Sequence, residues 1–282
     1  MPKYGGKKLY LDIKKDLIKQ NVDMGRDNFF KLLRENHLLV KKTKLFHITT
    51  DSKHFFYTSP NLVKDLDITH SEQVWVNDIT YIKLQSQHAY LALTTDAYSK
   101  KIMGWKIDTN MRVELVKDAL QMAIKNKTYN HKNTIYHSDR GIQYCCPDFT
   151  DFAKKRGMIL STTQKSDPYE NAIAERINGI LKYEFGLIKT IPNFEVARKM
   201  VKQAIDIYNN ERIHYSLDMN TPAFAHINQT HIYKSYKRNY NGKINIHLNP
   251  QVETETSSAG EQLVRDTLDE RQKCQINGLS IE

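Results

Sequence analysis

The order in which the apolar periodicity changes along the chain restricts its fold more than any other feature. Three runs rich in β-branched and aromatic residues, QVWVNDITYIKL from Gln73, HAYLALTTDAYS from His88 and KKIMGWKIDT from Lys100, follow one another with only short polar breaks. Such runs mark strands, and breaks this short predict an antiparallel meander. Helical spacing then takes over in VELVKDALQMAIKN, followed by strand NTIYHSD, a helix around PDFTDFAKKRG, strand MILSTT and a helix from about Asn171. The order predicts a layered α/β core with a mixed sheet flanked by helices. A further helix is expected over about Phe194 to Glu211.

Ahead of this core, residues 7–20 place Leu9, Ile13, Leu17 and Ile18 at helical spacing among lysines, and RDNFFKLLRENHLL forms a second amphipathic segment after Gly25. Two short basic helices joined by a glycine-containing turn fit a helix-turn-helix whose second helix offers Arg26, Asn28, Lys31 and Arg34 to DNA. A purely structural helical hairpin is the alternative. Residues 1–45 are thus read as a DNA-binding segment, 46–68 as a linker with some docking aromatics, 69–226 as the core, and 227–282 as an irregular, poorly ordered tail.

The chain carries a net charge of +10, and residues 1–50 hold 12 Lys/Arg against 5 Asp/Glu, whereas the last 32 residues hold 7 acids against 3 bases. A basic body favours a polyanionic partner, either nucleic acid or an acidic membrane surface. No stretch approaches the roughly 18 apolar residues of a membrane span, and the N-terminus lacks an apolar signal core, so the cytoplasm is the expected location. Cys145, Cys146 and Cys274 allow neither a disulfide framework nor a CxxC knuckle. Reduced thiols that pack, rather than nucleophiles, are expected.

Three acids stand out by position. Asp78 lies inside VWVNDITYI, where a carboxylate needs a partner unless its face is solvated. Asp139 follows a strand, at the carboxyl end where α/β sheets gather ligands, although an Asx turn places Asp there equally well. Glu175 shares a polar helix face with Asn171, Asn178 and Lys182, which a solvated surface also explains. Their order and spacing, with 60 residues between the first two and 35 between the last two, are what set them apart.

The blocks around them carry a resemblance: WVNDITYI, HSDRGIQY, DPYENAIAERINGILKYE and, after them, YNNERIHYSLDMNTP. Over roughly residues 5–226 the chain resembles the insertion-sequence transposases made from two overlapping reading frames, specifically their OrfB protein with its retroviral-integrase-like, RNase H-like core. The resemblance implies that Asp78, Asp139 and Glu175 bind metal and catalyse DNA end cleavage and strand transfer, and that Lys182 contacts the transposon end. Asn178, Arg26, Lys31, Arg34 and Arg212 are read as further DNA contacts, with a surface salt bridge the alternative for Arg212. His137 and His214, inside family blocks, are read either as contacts to DNA or to the residues around the acids, or as structural histidines. Asn77 stands where the family often has a small or hydroxyl residue.

Three carboxylates suit this chemistry because phosphodiester transfer builds negative charge on both the attacking and the leaving oxygen, which two cations about 3.5–4 Å apart stabilise together. Mg²⁺, a hard ion preferring oxygen ligands, is the expected cofactor, with Mn²⁺ substituting. The reaction that the resemblance implies is a nick of the transposon end by water and then attack of the freed 3′-hydroxyl on a second phosphodiester, with no covalent enzyme intermediate needed. The implied partners are DNA (terminal repeats and target), further copies of the chain on that DNA, and the upstream OrfA protein or its frameshift fusion. A repressor with a decayed core, a plain RNase H-like nuclease and a retroviral-type integrase fit less well. The first conflicts with the intact acids, the second has no need of the N-terminal helices or Lys182, and the third would carry a His/Cys zinc module.

Overall fold

The computed structural model describes residues 5–39, 56–131, 133–164 and 171–231, together with the backbone of 235–238 and 244–247. The chain divides into two compact units, one ending at His231 and one beginning at Ile232. In the first, α1 (Gly6–Lys19) and α2 (Arg26–Glu35) precede β1 (Val74–Lys83), β2 (His88–Asp96), β3 (Ile102–Asp108), α3 (Val113–Lys125) and β4 (Ile135–Ser138). They are followed by α4 (Ile142–Cys145), α5 (Pro147–Lys154), β5 (Ile159–Thr162), α6 (Ala172–Glu184), α7 (Phe194–Asn210) and α8 (Pro222–Asn228).

The strands form one sheet in the order β3-β2-β1-β4-β5. β1, β2 and β3 pair antiparallel, as the short connections require, while β4 and β5 pair parallel to β1 after helical crossovers. Alternation along the strands divides the core in two. Ile82, Leu91 and Leu93 join Ile177, Leu181, Val201 and Ile205 of α6 and α7 on one face. Trp75, Ala92, Met103 and Tyr136 join Val116, Leu120 and Phe149 of α3 and α5 on the other. Both faces are covered, as expected of a sheet with parallel strands.

Gly104 on β3 is a point of close approach. A Cβ there would overlap the carbonyl oxygen of Ala119 and lie 2.5 Å from the nitrogen of Ala123, so α3 rests its backbone on the strand. The small residues at 119 and 123, both fully buried, permit that approach.

The N-terminal helices pack on each other through Tyr10 and Phe29, whose ring centroids are 5.5 Å apart, and Tyr10 Oη donates to the Met24 carbonyl. Lys8 of α1 is buried beside Glu184 and Arg212, and burial followed by the Arg212 charge lowers its pKa to about 8. The expected boundary at residues 45–46 lies outside the described residues. The described part of the linker docks through backbone and hydroxyl groups. Leu62 N donates to Ser161 Oγ at 2.9 Å, Thr162 Oγ1 donates to the Ser59 carbonyl at 2.6 Å, and Tyr57 is exposed.

The expected irregular tail from residue 227 is corrected in two places. α8 runs to Asn228 and His231 is buried, so the first unit extends past 226. Beyond it, β6 (Ser235–Arg238) and β7 (Ile244–His247) pair antiparallel. Among the described residues no helix is long and apolar enough to cross a membrane.

Candidate active site

Parallel pairing of β1 with β4 aligns Val76 with His137 and Asn77 with Ser138. One step beyond this register, Asp78 comes opposite Asp139, just where β4 ends. β1 continues alone on that side, and among the described residues 78–82 have no strand partner there. The two acids thus stand at the lip of a gap in the sheet, at the carboxyl end of β4. Asp139 caps its own turn, Oδ1 accepting from Gly141 N at 3.0 Å.

α6 supplies the third acid. The start of this helix is fixed to β1 by Asn171, whose Nδ2 donates to the Asn77 carbonyl at 3.1 Å. That anchor puts Glu175 in the first turn, where a negative charge suits the helix dipole. One turn further, Asn178 Nδ2 donates to Asp78 Oδ2 at 2.6 Å. Asn178 is buried, which corrects its reading as a DNA contact: it orients the Asp78 carboxylate. Residues 165–170, ahead of the helix, lie outside the described residues.

The acids sense one another. Burial, then the charge of Asp139, raises the Asp78 pKa to about 7; the Asn178 hydrogen bond opposes the rise and the Glu175 charge adds to it. Burial and Asp139 likewise push Glu175 above its ordinary value. Among the described residues, however, no three His, Cys, Asp or Glu side chains close on a common point as ligands of one ion. Asp78 instead accepts from Asn178 and Asp139 from the Gly141 nitrogen.

Lys182, two turns after Glu175, is partly buried. Its ammonium lies 4.2 Å from the centroid of the Tyr81 ring. Burial lowers its pKa and the Asp78 charge acts in the opposite sense, so Lys182 lies within the field of the acids.

The other candidates separate. His137 is fully buried and its Nδ1 lies 2.9 Å from Ser161 Oγ, turned toward β5. Arg212 is also buried, forming a two-pronged pair with Glu184 (Nε to Oε2 and Nη2 to Oε1, both 2.7 Å), so neither the exposed salt bridge nor the phosphate contact describes it. His214 Nε2 lies 2.7 Å from Arg212 Nη1, and burial with that guanidinium holds its pKa down to about 2. A neutral imidazole accepting from Arg212 follows, with a structural role. On α2, Arg26, Lys31 and Arg34 are exposed; Arg26 pairs with Asp27 and Lys31 lies 4.0 Å from Glu35. Burial and Asp139 raise the Cys145 thiol to about 11, which leaves it unreactive.

Sequence reasoning missed Tyr81 and a fully buried polar group outside this site: Glu72, Asp96, Ser99 and His226. Only alternation in β1 hinted at Tyr81. Nothing local pointed to the second group, whose members are joined across as many as 154 positions.

Comparison with known proteins fits this geometry. A family model described as an integrase core domain matches residues 68–168, and a second of the same description matches 156–222. The insertion element IS600 uncharacterized 31 kDa protein of Shigella sonnei is 33% identical over 222 residues, covering 78% of this chain and 80% of that protein. The transposase for insertion sequence element IS904 of Lactococcus lactis is 30% identical over 196 residues, 68% of this chain and 76% of its own length. The chain belongs to the insertion-sequence transposases. Its integrase core makes it a polynucleotidyl transferase of DNA transposition. The match to the IS629 transposase of Shigella sonnei, 33% identical, spans 55% of this chain and 51% of that protein. Among solved structures, the HTLV-2 integrase catalytic core domain aligns with a TM-score of 0.45 and 19% identity, over 56% of this chain and 97% of that one.

Proposed function

We propose that this transposase cleaves DNA ends and transfers the resulting strands through Asp78, Asp139 and Glu175, with divalent metal ions bound between them. The observation that carries this reading is the parallel register that sets Asp78 and Asp139 side by side at the end of β4, with Glu175 in the first turn of the helix anchored to the same strand. The donor set fits the group: all three are carboxylates, suited to a hard ion such as Mg²⁺ or Mn²⁺, and the nearby histidine is turned away. No three-ligand cage is required, because Mg²⁺ is commonly held by one or two carboxylates with water and phosphate oxygens completing its shell. Burial raises Asp78 most, and the Asp139 and Glu175 charges that add to the rise are what a cation would relieve.

When bound, the ions stabilise charge on the attacking and leaving oxygens. The residues of the chain do the rest. Asn178 holds Asp78 in one orientation, Asn171 fixes the turn that presents Glu175, and Lys182 offers a cation to a DNA phosphate beside the acids. The exposed Arg26, Lys31 and Arg34 of α2 supply phosphate contacts away from the chemistry. Further copies of the chain on DNA and an upstream OrfA partner belong to the same reading. Glu175→Gln tests it: end cleavage and strand transfer in Mg²⁺ or Mn²⁺ should fall by a factor of about 10³ or more, as loss of several kcal/mol implies, while DNA binding in gel shift persists. Wild-type turnover by that variant would remove the triad.

A further inference from the structure

Lys182 is held in an unusual way for a cation within the field of Asp78. Its ammonium is seated on an aromatic ring, 4.2 Å from the Tyr81 centroid. The fold explains how they meet. Strand alternation sends Asp78 and Ile82 to the α6 face of the sheet, with Ile82 packing on Ile177 and Leu181, and sends Ile79 to the opposite face. Tyr81 shares the parity of Ile79. A helix on one face normally cannot touch the other face of a central strand. Here β4 stops at Ser138, among the described residues the edge of β1 has no strand partner from Asp78 to Ile82, and Lys182 reaches Tyr81 across that opening. On β2, the exposed His88 meets the same ring edge-on, with centroids 5.6 Å apart.

We propose that Tyr81 is a positioning residue for Lys182, its ring holding the ammonium at the open edge of β1 where the scissile DNA end lies. A ring is the appropriate seat for this purpose. A carboxylate would neutralise the cation and occupy its donors, whereas the face of an aromatic attracts the ammonium through its quadrupole and leaves N–H groups available for phosphate. The seat also keeps a flexible four-carbon side chain from collapsing onto Asp78, toward whose charge it is drawn. The DNA-contacting role of Lys182 belongs to the reading above, and the inference about Tyr81 rests on it.

Two measurements on the full chain test the proposal. In the first, ¹³C-labelled lysine places the Lys182 ε-methylene protons upfield in the wild type by the ring current of Tyr81. Tyr81→Phe should keep that shift and Tyr81→Leu should abolish it. A wild-type spectrum without the shift, or one that Tyr81→Leu leaves intact, overturns the seat whatever Lys182 does. In the second, affinity for a transposon-end duplex is compared with that for an unrelated duplex. Tyr81→Leu should weaken end binding about 3- to 10-fold and Tyr81→Phe less than twofold. In a Lys182→Ala background Tyr81→Leu should add nothing. An equal loss in both backgrounds overturns the proposal by showing that Tyr81 acts independently. If Lys182→Ala itself leaves end binding unchanged while the upfield shift is present, the DNA reading of Lys182 fails and the positioning role fails with it, although the seat stands.

Discussion

Asp78 ionises near neutrality because burial and the Asp139 charge oppose its negative form, the Asn178 amide only partly offsetting them and Glu175 adding to the rise. Its folded pKa of about 7 lies above the ordinary value of 3.8, so from the lower figure upward the unfolded chain sheds a proton that the folded chain keeps. Raising the pH through that window therefore favours unfolding, and above it the penalty is complete. Metal-free Asp78→Asn should then melt above the wild type at pH 8, by about 2–8 °C since each kcal/mol moves a domain of this size by about 2–4 °C. The gap should close toward pH 4. Adding Mg²⁺ at pH 8 should raise the wild-type midpoint and leave that of the variant unchanged; scanning calorimetry in chelator and in metal reads both. A variant less stable than wild type at every pH would show that Asp78 is a structural acid. At this scale order and spacing singled out three acids whose charges act on one another in the fold. The sequence was not legible for Arg212 and His214, whose partners lie elsewhere in the fold: Glu184 is 28 positions from Arg212 and no local pattern announces the pair. Asn178 was found on the right helix face but given the wrong partner, since a periodicity shows a face and not what it meets.

The strands and long helices were readable within a few residues because each is an uninterrupted run of one period: the run from Gln73 became Val74–Lys83 and the one from Val113 became Val113–Lys125. Short elements lacked the length to show a period. α4 spans Ile142–Cys145, and the β6–β7 pair comprises four residues a side in polar sequence. Close packing of elements was equally hidden, because the signal was one glycine in a strand. Gly104 now has a defined consequence. Gly104→Val must displace backbone rather than a flexible side chain, since Ala119 and Ala123 of α3 already occupy the space. Overpacking of a well-filled core costs about 1–3 kcal/mol, and a backbone obstacle belongs at or above the upper end. The urea midpoint should drop accordingly with the slope unchanged. A loss below about 0.5 kcal/mol, the range of ordinary surface changes, would mean that α3 lifts from β3 at no cost.

The closing segment of the first unit is tied back to the start of its sheet by a buried charge arrangement. His226, in the last turn of α8, points Nε2 at Glu72 Oε1 (3.1 Å) and Nδ1 at Ser99 Oγ (3.0 Å), with Asp96 Oδ2 3.6 Å away. All four residues are fully buried. Glu72 also accepts from the backbone nitrogens of Thr128 and Tyr129, and Asp96 from those of Glu72 and Ser99, so both carboxylates are held in place whether or not the imidazole is charged. Burial works against a charged His226, but hydrogen bonds to Asp96 and Glu72 outweigh it and its pKa is raised, with Lys101 opposing. A raised folded value means that the imidazolium adds stability in full below the ordinary histidine value of 6.5 and that this contribution is lost as pH climbs through the folded value. His226→Gln leaves two buried carboxylates without their cation, a change that typically costs about 3–5 kcal/mol. Urea unfolding should show a loss of that order at pH 6 and a smaller one at a pH above the folded value, once the wild type has itself given up the proton. Equal losses at both pH values would mean that a neutral ring does the tying through hydrogen bonds alone. The integrase-core match ends at residue 222, yet His226 bonds to Glu72 at the entrance to β1, so the core that presents Asp78 is closed by residues beyond that match.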